Sequence, residues 1–291
     1  MDKLRSQFIE RWHREAEEEG NLPAKYRLGV RYHSGIGVPV DFDKAFELLH
    51  EAAENGHVEA QYKVGMMCAG GQGTAKDEGA AINWLLRAAH QGEPQAQYEL
   101  GKMYSNGSRV AHDPDAAANW MKNAAEHGVP EAQYRLSQMY AAGAGIGIDS
   151  SAAYEWLSRA AANGVGNAQF ELALKYLSGD AKQRDLEQAM TWLRTAANNG
   201  HCEAQHKLGI CYRDGTGLVQ NFVEAYAWLT AASVVSDEAI EDRNALAETL
   251  TPDQIAEGQN RAADILAAPH PNPNSSSAEA LASKTSATEQ P

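Results

Sequence analysis

The amino-acid sequence predicts an all-α fold, an α/α solenoid or superhelix of six 36-residue helix-turn-helix repeats with helical caps at both ends. Two observations predict it. A block that begins Ala24-Lys25-Tyr26-Arg27-Leu28-Gly29 returns at Ala60, Ala96, Ala132, Ala168 and Ala204 without insertion or deletion. A second block opens at Ala45, Ala81, Ala117, Ala153, Ala189 and Ala225, at the same spacing. A fixed period of this length marks a supersecondary unit that cannot bury its own apolar face and must stack on its neighbours.

Each block reads as an amphipathic helix. In the second, small or apolar residues at 81, 84, 85, 88 and 89 follow the i, i+3, i+4, i+7, i+8 pattern of one helix face. The first shows the same period through Ala60, Val64 and Cys68, with a small residue at Gly29, Gly65, Gly101, Ser137, Ala173 and Gly209 that lets another helix backbone approach. Punctuation repeats in register. Gly56, Gly92, Gly128, Gly164 and Gly200 follow the second helix and suit left-handed caps; Gly35, Gly71, Gly107, Gly143, Gly179 and Gly215 follow the first. Asp41, Asp77, Asp113, Asp149, Asp185 and Asn221 are expected N-caps, with Pro114 at a first helical position and a capping-box spacing from Asn221 to Glu224.

Running the period backwards makes 2–19 an orphan second helix, with Trp12 in the register of Leu48, Trp84, Trp120, Trp156, Trp192 and Trp228 and a glutamate-rich outer face. The repeats span 20–236. Residues 237–268 read as a capping helix pair, the second starting at Thr251-Pro252 with Gln254 as capping-box partner. From Pro269 to Pro291 the Pro, Asn, Ser, Ala and Thr content predicts a disordered tail.

Composition bounds the function. The chain has 291 residues, 43% hydrophobic, and no apolar run long enough to span a bilayer or to serve as a secretion signal. A formal net charge of −14 argues against nucleic acid and favours a protein partner. Cys68, Cys202 and Cys211 are an odd count with no disulfide framework, which fits a cytoplasmic compartment.

The pattern Ala-Gln-Tyr-x-Leu-Gly-x-x-Tyr, a Gly loop, then Ala-x-x-Trp-Leu-x-x-Ala-Ala-x-x-Gly resembles the Sel-one-like repeat, a relative of the tetratricopeptide repeat, over about three-quarters of the chain. The resemblance implies a superhelix acting as adaptor or scaffold through protein binding, and the ending Leu250-Thr251-Pro252-Asp253-Gln254-Ile255-Ala256 is similar to that of many bacterial members. It leaves two alternatives: an extracytoplasmic envelope or host-interaction protein, and a β-lactam-hydrolysing member of a cysteine-rich branch. That branch pairs cysteines within each repeat, whereas no repeat here holds such a pair.

No catalytic residue, cofactor or metal is expected. Gly71-Gln72-Gly73-Thr74 and Gly143-Ala144-Gly145-Ile146-Gly147 lack the Gly-Lys-Ser/Thr ending and the preceding strand of a phosphate loop. His201, Cys202 and His206 are the nearest approach to a metal set, but lack further ligands.

What differs between repeats is one i, i+4, i+7 face of the first helix. There lie Arg27 and Arg31, Lys63 and Met67, Glu99 and Met103, Arg135 and Met139, with Lys175 and Lys207 further on. By resemblance, first helices line the concave groove, so this strip is the expected partner-binding surface. The methionines suit either an adaptable docking surface or packing against the next repeat. Arg27, Lys63, Arg135 and Lys207 form a basic line that predicts an acidic partner segment, unless these side chains are spent in i, i+4 pairs along a solvated helix.

Overall fold

A computed structural model describes residues 2–17, 21–179 and 185–268, which form fifteen α-helices and no strand. The expected tail, 269–291, lies outside the described residues. Helix α1 is Asp2–Glu17. Six pairs follow: α2 Leu22–Ser34 and α3 Phe42–Glu54, α4 Val58–Gly70 and α5 Glu78–His90, α6 Pro94–Asn106 and α7 Pro114–Glu126, α8 Pro130–Ala142 and α9 Ser150–Ala162, α10 Gly166–Ser178 and α11 Leu186–Asn198, α12 Cys202–Asp214 and α13 Phe222–Ala232. Helices α14, Asp237–Ala247, and α15, Pro252–Ala267, end the fold. The chain divides into two compact units, Met1–Ala153 and Tyr154–Pro291, and each is described by itself.

The second helices start where their caps allow. Asp41, Asp77, Asp113, Asp185 and Asn221 each accept a hydrogen bond from the amide three residues on, at 2.9–3.0 Å, and Asp149 accepts from Ser151 and Ala152. The reciprocal capping box forms at Thr251 and Gln254. At Asn221 it does not, because the Glu224 carboxylate pairs with Arg261 instead. Gly35, Gly71, Gly107, Gly143 and Gly215 end first helices in the left-handed region. Gly179 departs from the expectation, with φ −52°. Its loop lacks the second glycine found at Gly37, Gly73, Gly145 and Gly217.

That second glycine has a packing reason. A Cβ on Gly73 would lie 2.0 Å from the Phe42 carbonyl oxygen, and one on Gly145 would lie 1.9 Å from that of Pro114. The loop rests on the first turn of the preceding repeat's second helix, so these glycine clusters serve packing. Arg109 holds the same register at φ 70°, the only non-glycine residue with positive φ among the described residues, and reaches back to Glu78 at 3.6 Å.

Within a repeat the two helices meet at the small register. A Cβ on Gly29 would sit 2.7 Å from Leu49 Cγ, and one on Gly65 would sit 3.1 Å from Leu85 Cγ. Around this contact Ala24, Leu28, Ala45, Leu49, Ala60, Val64, Leu85 and Leu100 are buried in the first unit, and Ala168, Leu172, Leu193, Ala204, Leu208 and Leu229 in the second. The tryptophan register is only partly core. Trp84, Trp156 and Trp228 are buried, whereas Trp12, Trp120 and Trp192 are half-buried.

Between repeats the join is polar and internal. Gln61, Gln97, Gln169 and Gln205 are buried, and each Nε2 donates to a carbonyl at the end of the preceding second helix, at 3.1–3.2 Å. The Oε1 atoms accept in turn from Gln91, His127 and Asn199 at 2.7–3.1 Å. These last-turn carbonyls have no i+4 partner and accept from the amide of the turn glycine, and each glutamine adds a second bond to them across the repeat boundary.

The ends are closed differently. Helix α1 is fixed to α2 by Arg31 stacked 3.6 Å over Trp12 and by His13 Nε2 at 2.7 Å from the Tyr32 hydroxyl. Residues 18 and 19 of the expected first helix, and residue 20 at the start of the repeats, lie outside the described residues. At the other end α14 buries only Ala239 and Leu246, and Asp242 bridges it to His206 and Arg213 of α12. Helix α15 folds onto α13, with Gly258 against Tyr226 and Arg261 paired with Glu224.

Candidate functional site

In the first unit α2, α4, α6 and α8 lie side by side: Tyr26 on α2 stacks 4.6 Å from His57 at the start of α4. The expected strip crosses the middle of these helices. Arg27 and Arg135 are exposed, Lys63 and Arg31 half-buried. Met67 and Met103 are 1% and 5% exposed and belong to the core, which corrects their expected place on the docking surface. The i+4 step from Lys63 or Glu99 turns the side chain inward beneath the next repeat. Met139 stays half-buried. In the second unit Lys175 is exposed, 4.0 Å from Glu171, and Lys207 is half-buried.

The charges on this strip are arranged unevenly. Glu99, the anion in the register of Arg27, is held by Lys102 at 2.9 Å through both oxygens. Arg27, Lys63 and Arg135 make no ion pair among the described residues, and Arg31 makes only its contact with Trp12. Two of the three cations on the second helices nearby are paired, Lys44 with Asp41 and Lys122 with Glu126, while Arg87 lies over Trp84; on the first helices Lys25 is paired with Glu51. Counting whole helices, α2, α4, α6 and α8 carry six Lys or Arg against three carboxylates, whereas α3, α5 and α7 carry three against seven. The first-helix layer of this unit is therefore positive by three and the second-helix layer negative by four, within a chain of net charge −14.

Burial sharpens this. The Lys63 ammonium is held below its ordinary pKa by lost hydration, against a partial opposing pull from Glu93. Arg31 is lowered by burial and by the like charge of Arg27. Tyr62 lies beside Lys63, and burial, with the carboxylates of Glu59, Glu93 and Glu99, pushes the Tyr26 and Tyr62 phenols up to about 12. Burial also raises Glu93. The carboxylates Glu59 and Glu131 occupy first turns, where the helix dipole favours them. The cations lie one turn further along.

The remaining polar residues have local structural roles. His201 Nδ1 accepts from the Ala204 amide at 3.2 Å, Cys202 Sγ faces the Ala232 carbonyl, and His206 faces Asp242 at 2.7 Å. His57 caps α4 in the same manner. No group of three or more His, Cys, Asp or Glu among the described residues is arranged to hold a metal ion. All three cysteines are free thiols.

The Sel1 repeat pattern matches six consecutive segments, 22–57, 58–93, 94–129, 130–165, 166–201 and 202–233. The chain belongs to the Sel1 repeat family. A crystal structure of a Sel1 repeat protein from Oxalobacter formigenes is similar at 34% identity and a TM-score of 0.72, over 81% of this chain and 68% of that one. A protective antigen of uropathogenic Escherichia coli with the same repeat fold aligns at 22% identity and a TM-score of 0.42, over 99% of this chain and 91% of that one. An immunity protein from Pseudomonas aeruginosa aligns at 17% identity and a TM-score of 0.44, over 85% and 83%. No curated protein matches. Sel1 repeats form solenoids that commonly act as protein-interaction scaffolds and are generally non-catalytic. No helix among the described residues is long and apolar enough to cross a membrane.

Two registers of this Sel1 chain escaped the sequence reading. Gln61 and its equivalents stood in the quoted motif without a role; their signal was a polar residue kept at an otherwise buried helix face. Tyr26 and Tyr62 share another register of that motif, and sequence periodicity alone does not show that burial pushes their phenols up.

Proposed function

We propose that this Sel1 repeat protein is a non-enzymatic scaffold that binds a segment of another protein across the first helices of its first unit. The observation that carries the reading is the contrast between layers. The first helices carry more cations than carboxylates and the second helices fewer, and Arg27, Lys63 and Arg135 make no ion pair among the described residues. A preformed surface of this kind binds without the entropic cost of ordering its own backbone. The free thiols, none of them paired across the two helices of a repeat, favour this reading over the cysteine-rich branch. The cytoplasmic, bacterial adaptor role is part of the same proposal.

Site-specific photo-crosslinking tests it. A benzophenone amino acid placed at 27 or 135 is expected to crosslink a discrete protein, and one placed at 83 or 119, exposed on second helices, is not. Crosslinks confined to 83 and 119 would move the binding surface to the second-helix layer.

A further inference from the structure

We infer that the partner segment is acidic, an extended stretch of protein whose carboxylates seat on Arg27, Lys63 and Arg135. This rests on the reading that the first-helix face of the first unit is the binding surface, and it adds the chemistry of what binds there. Three observations carry it. Arg27, Lys63 and Arg135 make no ion pair in a chain with a large excess of carboxylates, Lys63 feeling only the partial pull of Glu93, so their isolation comes from where the fold puts them, not from any shortage of anions. The one anion of the register in this unit, Glu99, is already taken by Lys102. Arg27 and Arg31, one turn apart, repel each other, and Lys63, 5.9 Å from the centre of the Tyr62 ring, is stripped of part of its hydration.

An arriving carboxylate replaces lost water at Lys63 and relieves the Arg27–Arg31 repulsion, so it gains more here than at a solvated lysine. A basic segment meets the same cations and is repelled, which makes the face selective as well as adhesive. Geometry sets the expected spacing. Neighbouring helices pack about 10 Å apart, and an extended chain rises about 3.3 Å per residue. Arg27 and Lys63 therefore match carboxylates about three residues apart, and Arg135, two repeats beyond Lys63, one about six residues further.

The test is selection of a displayed 12-residue peptide library on the full chain at low salt, with counter-selection on the variant Arg27→Gln/Lys63→Gln/Arg135→Gln. The expected result is enrichment of peptides rich in Asp and Glu, whose affinity falls tenfold or more on the variant and with added salt. Enrichment of neutral or basic peptides that also depend on these three residues would overturn the acidic chemistry and leave the surface assignment standing. Peptides that bind wild type and variant equally, or no enrichment, would overturn both. Should the Lys63 change perturb folding, the double variant at the exposed positions, Arg27→Gln/Arg135→Gln, carries the same comparison with a smaller expected loss. Circular dichroism confirms equal helix content.

Discussion

Changing Gln97 to Glu separates the polar joint between repeats from ordinary packing. Gln97 Nε2 donates to the Ala89 carbonyl at 3.1 Å while its Oε1 accepts from His127 Nδ1 at 3.0 Å, and the side chain is 4% exposed. A glutamate of the same shape keeps the second contact but turns the first into oxygen facing oxygen unless it carries a proton. Burial and that carbonyl both favour the neutral acid, so the folded pKa is raised above the unfolded value of about 4.3. The sign follows. Stability is intact below the unfolded pKa, is lost as pH rises towards the folded pKa, and levels off above it. At about 1.4 kcal/mol per pH unit, holding the proton at pH 7 costs at most about 3.7 kcal/mol relative to wild type. Gln97→Ala has no such profile: the Ala89 carbonyl keeps the Gly92 amide, and losing the glutamine's hydrogen bonds and its buried methylene costs about 1–3 kcal/mol at every pH. Urea denaturation of both variants against wild type between pH 5.5 and 7.5 reads the difference. A Glu variant as stable as wild type at pH 7, or one whose deficit does not grow with pH, would show that the glutamine bond does not hold the repeats together.

Other outcomes follow from single contacts. Leu100→Ala, at a fully buried position in the first unit, is expected to cost about 3 kcal/mol, measured by thermal or urea unfolding. Asp113→Ala removes the acceptor of the Ala116 amide and is expected to cost about 1 kcal/mol; Asp113→Asn, which keeps the acceptor, should cost less. The cap histidines His57 and His201 accept amide protons only when that nitrogen is unprotonated, and burial holds both pKa values below the ordinary one against the pull of Glu59 and Glu203. A depressed folded pKa means that their stabilisation is present above about pH 6.5 and is lost as pH falls. Replacing both by Asn should flatten the fall in melting temperature between pH 7.5 and 5.5. Asp242→Asn should speed hydrogen exchange across α14, which buries only two residues and relies on His206 and Arg213.

The architecture was legible because the period repeats six times, so each weak signal is read against five copies of itself. Gly29 and its equivalents, the aspartate caps and the glycine turns all sit where the register put them. Legibility fails where a residue's role depends on the neighbouring repeat. Met67 and Arg31 share one register of the first helix, yet Met67 is core and Arg31 lies over Trp12, because the terminal helix α1 offers an aromatic face to the first repeat. Gln61 looks like a surface residue in isolation and becomes structural only when the preceding helix ends beneath it.

The charge strip lay between these cases. Sequence located its cations but left open whether they were spent in i, i+4 pairs, and Glu59 with Lys63 or Glu131 with Arg135 have the spacing to do so. The fold separates them. Glu59 turns to His57 at 3.2 Å, leaving Lys63 beside the Tyr62 ring, and Glu99 takes Lys102 at i+3 where the register offers no cation one turn on. An exposed helical pair contributes only about 0.3–0.5 kcal/mol, so little energy opposes leaving these cations free. A partner that brings several carboxylates at once exceeds that small internal competition at every site it covers, and this is why the surface can stay poised for an acidic segment within a strongly acidic chain.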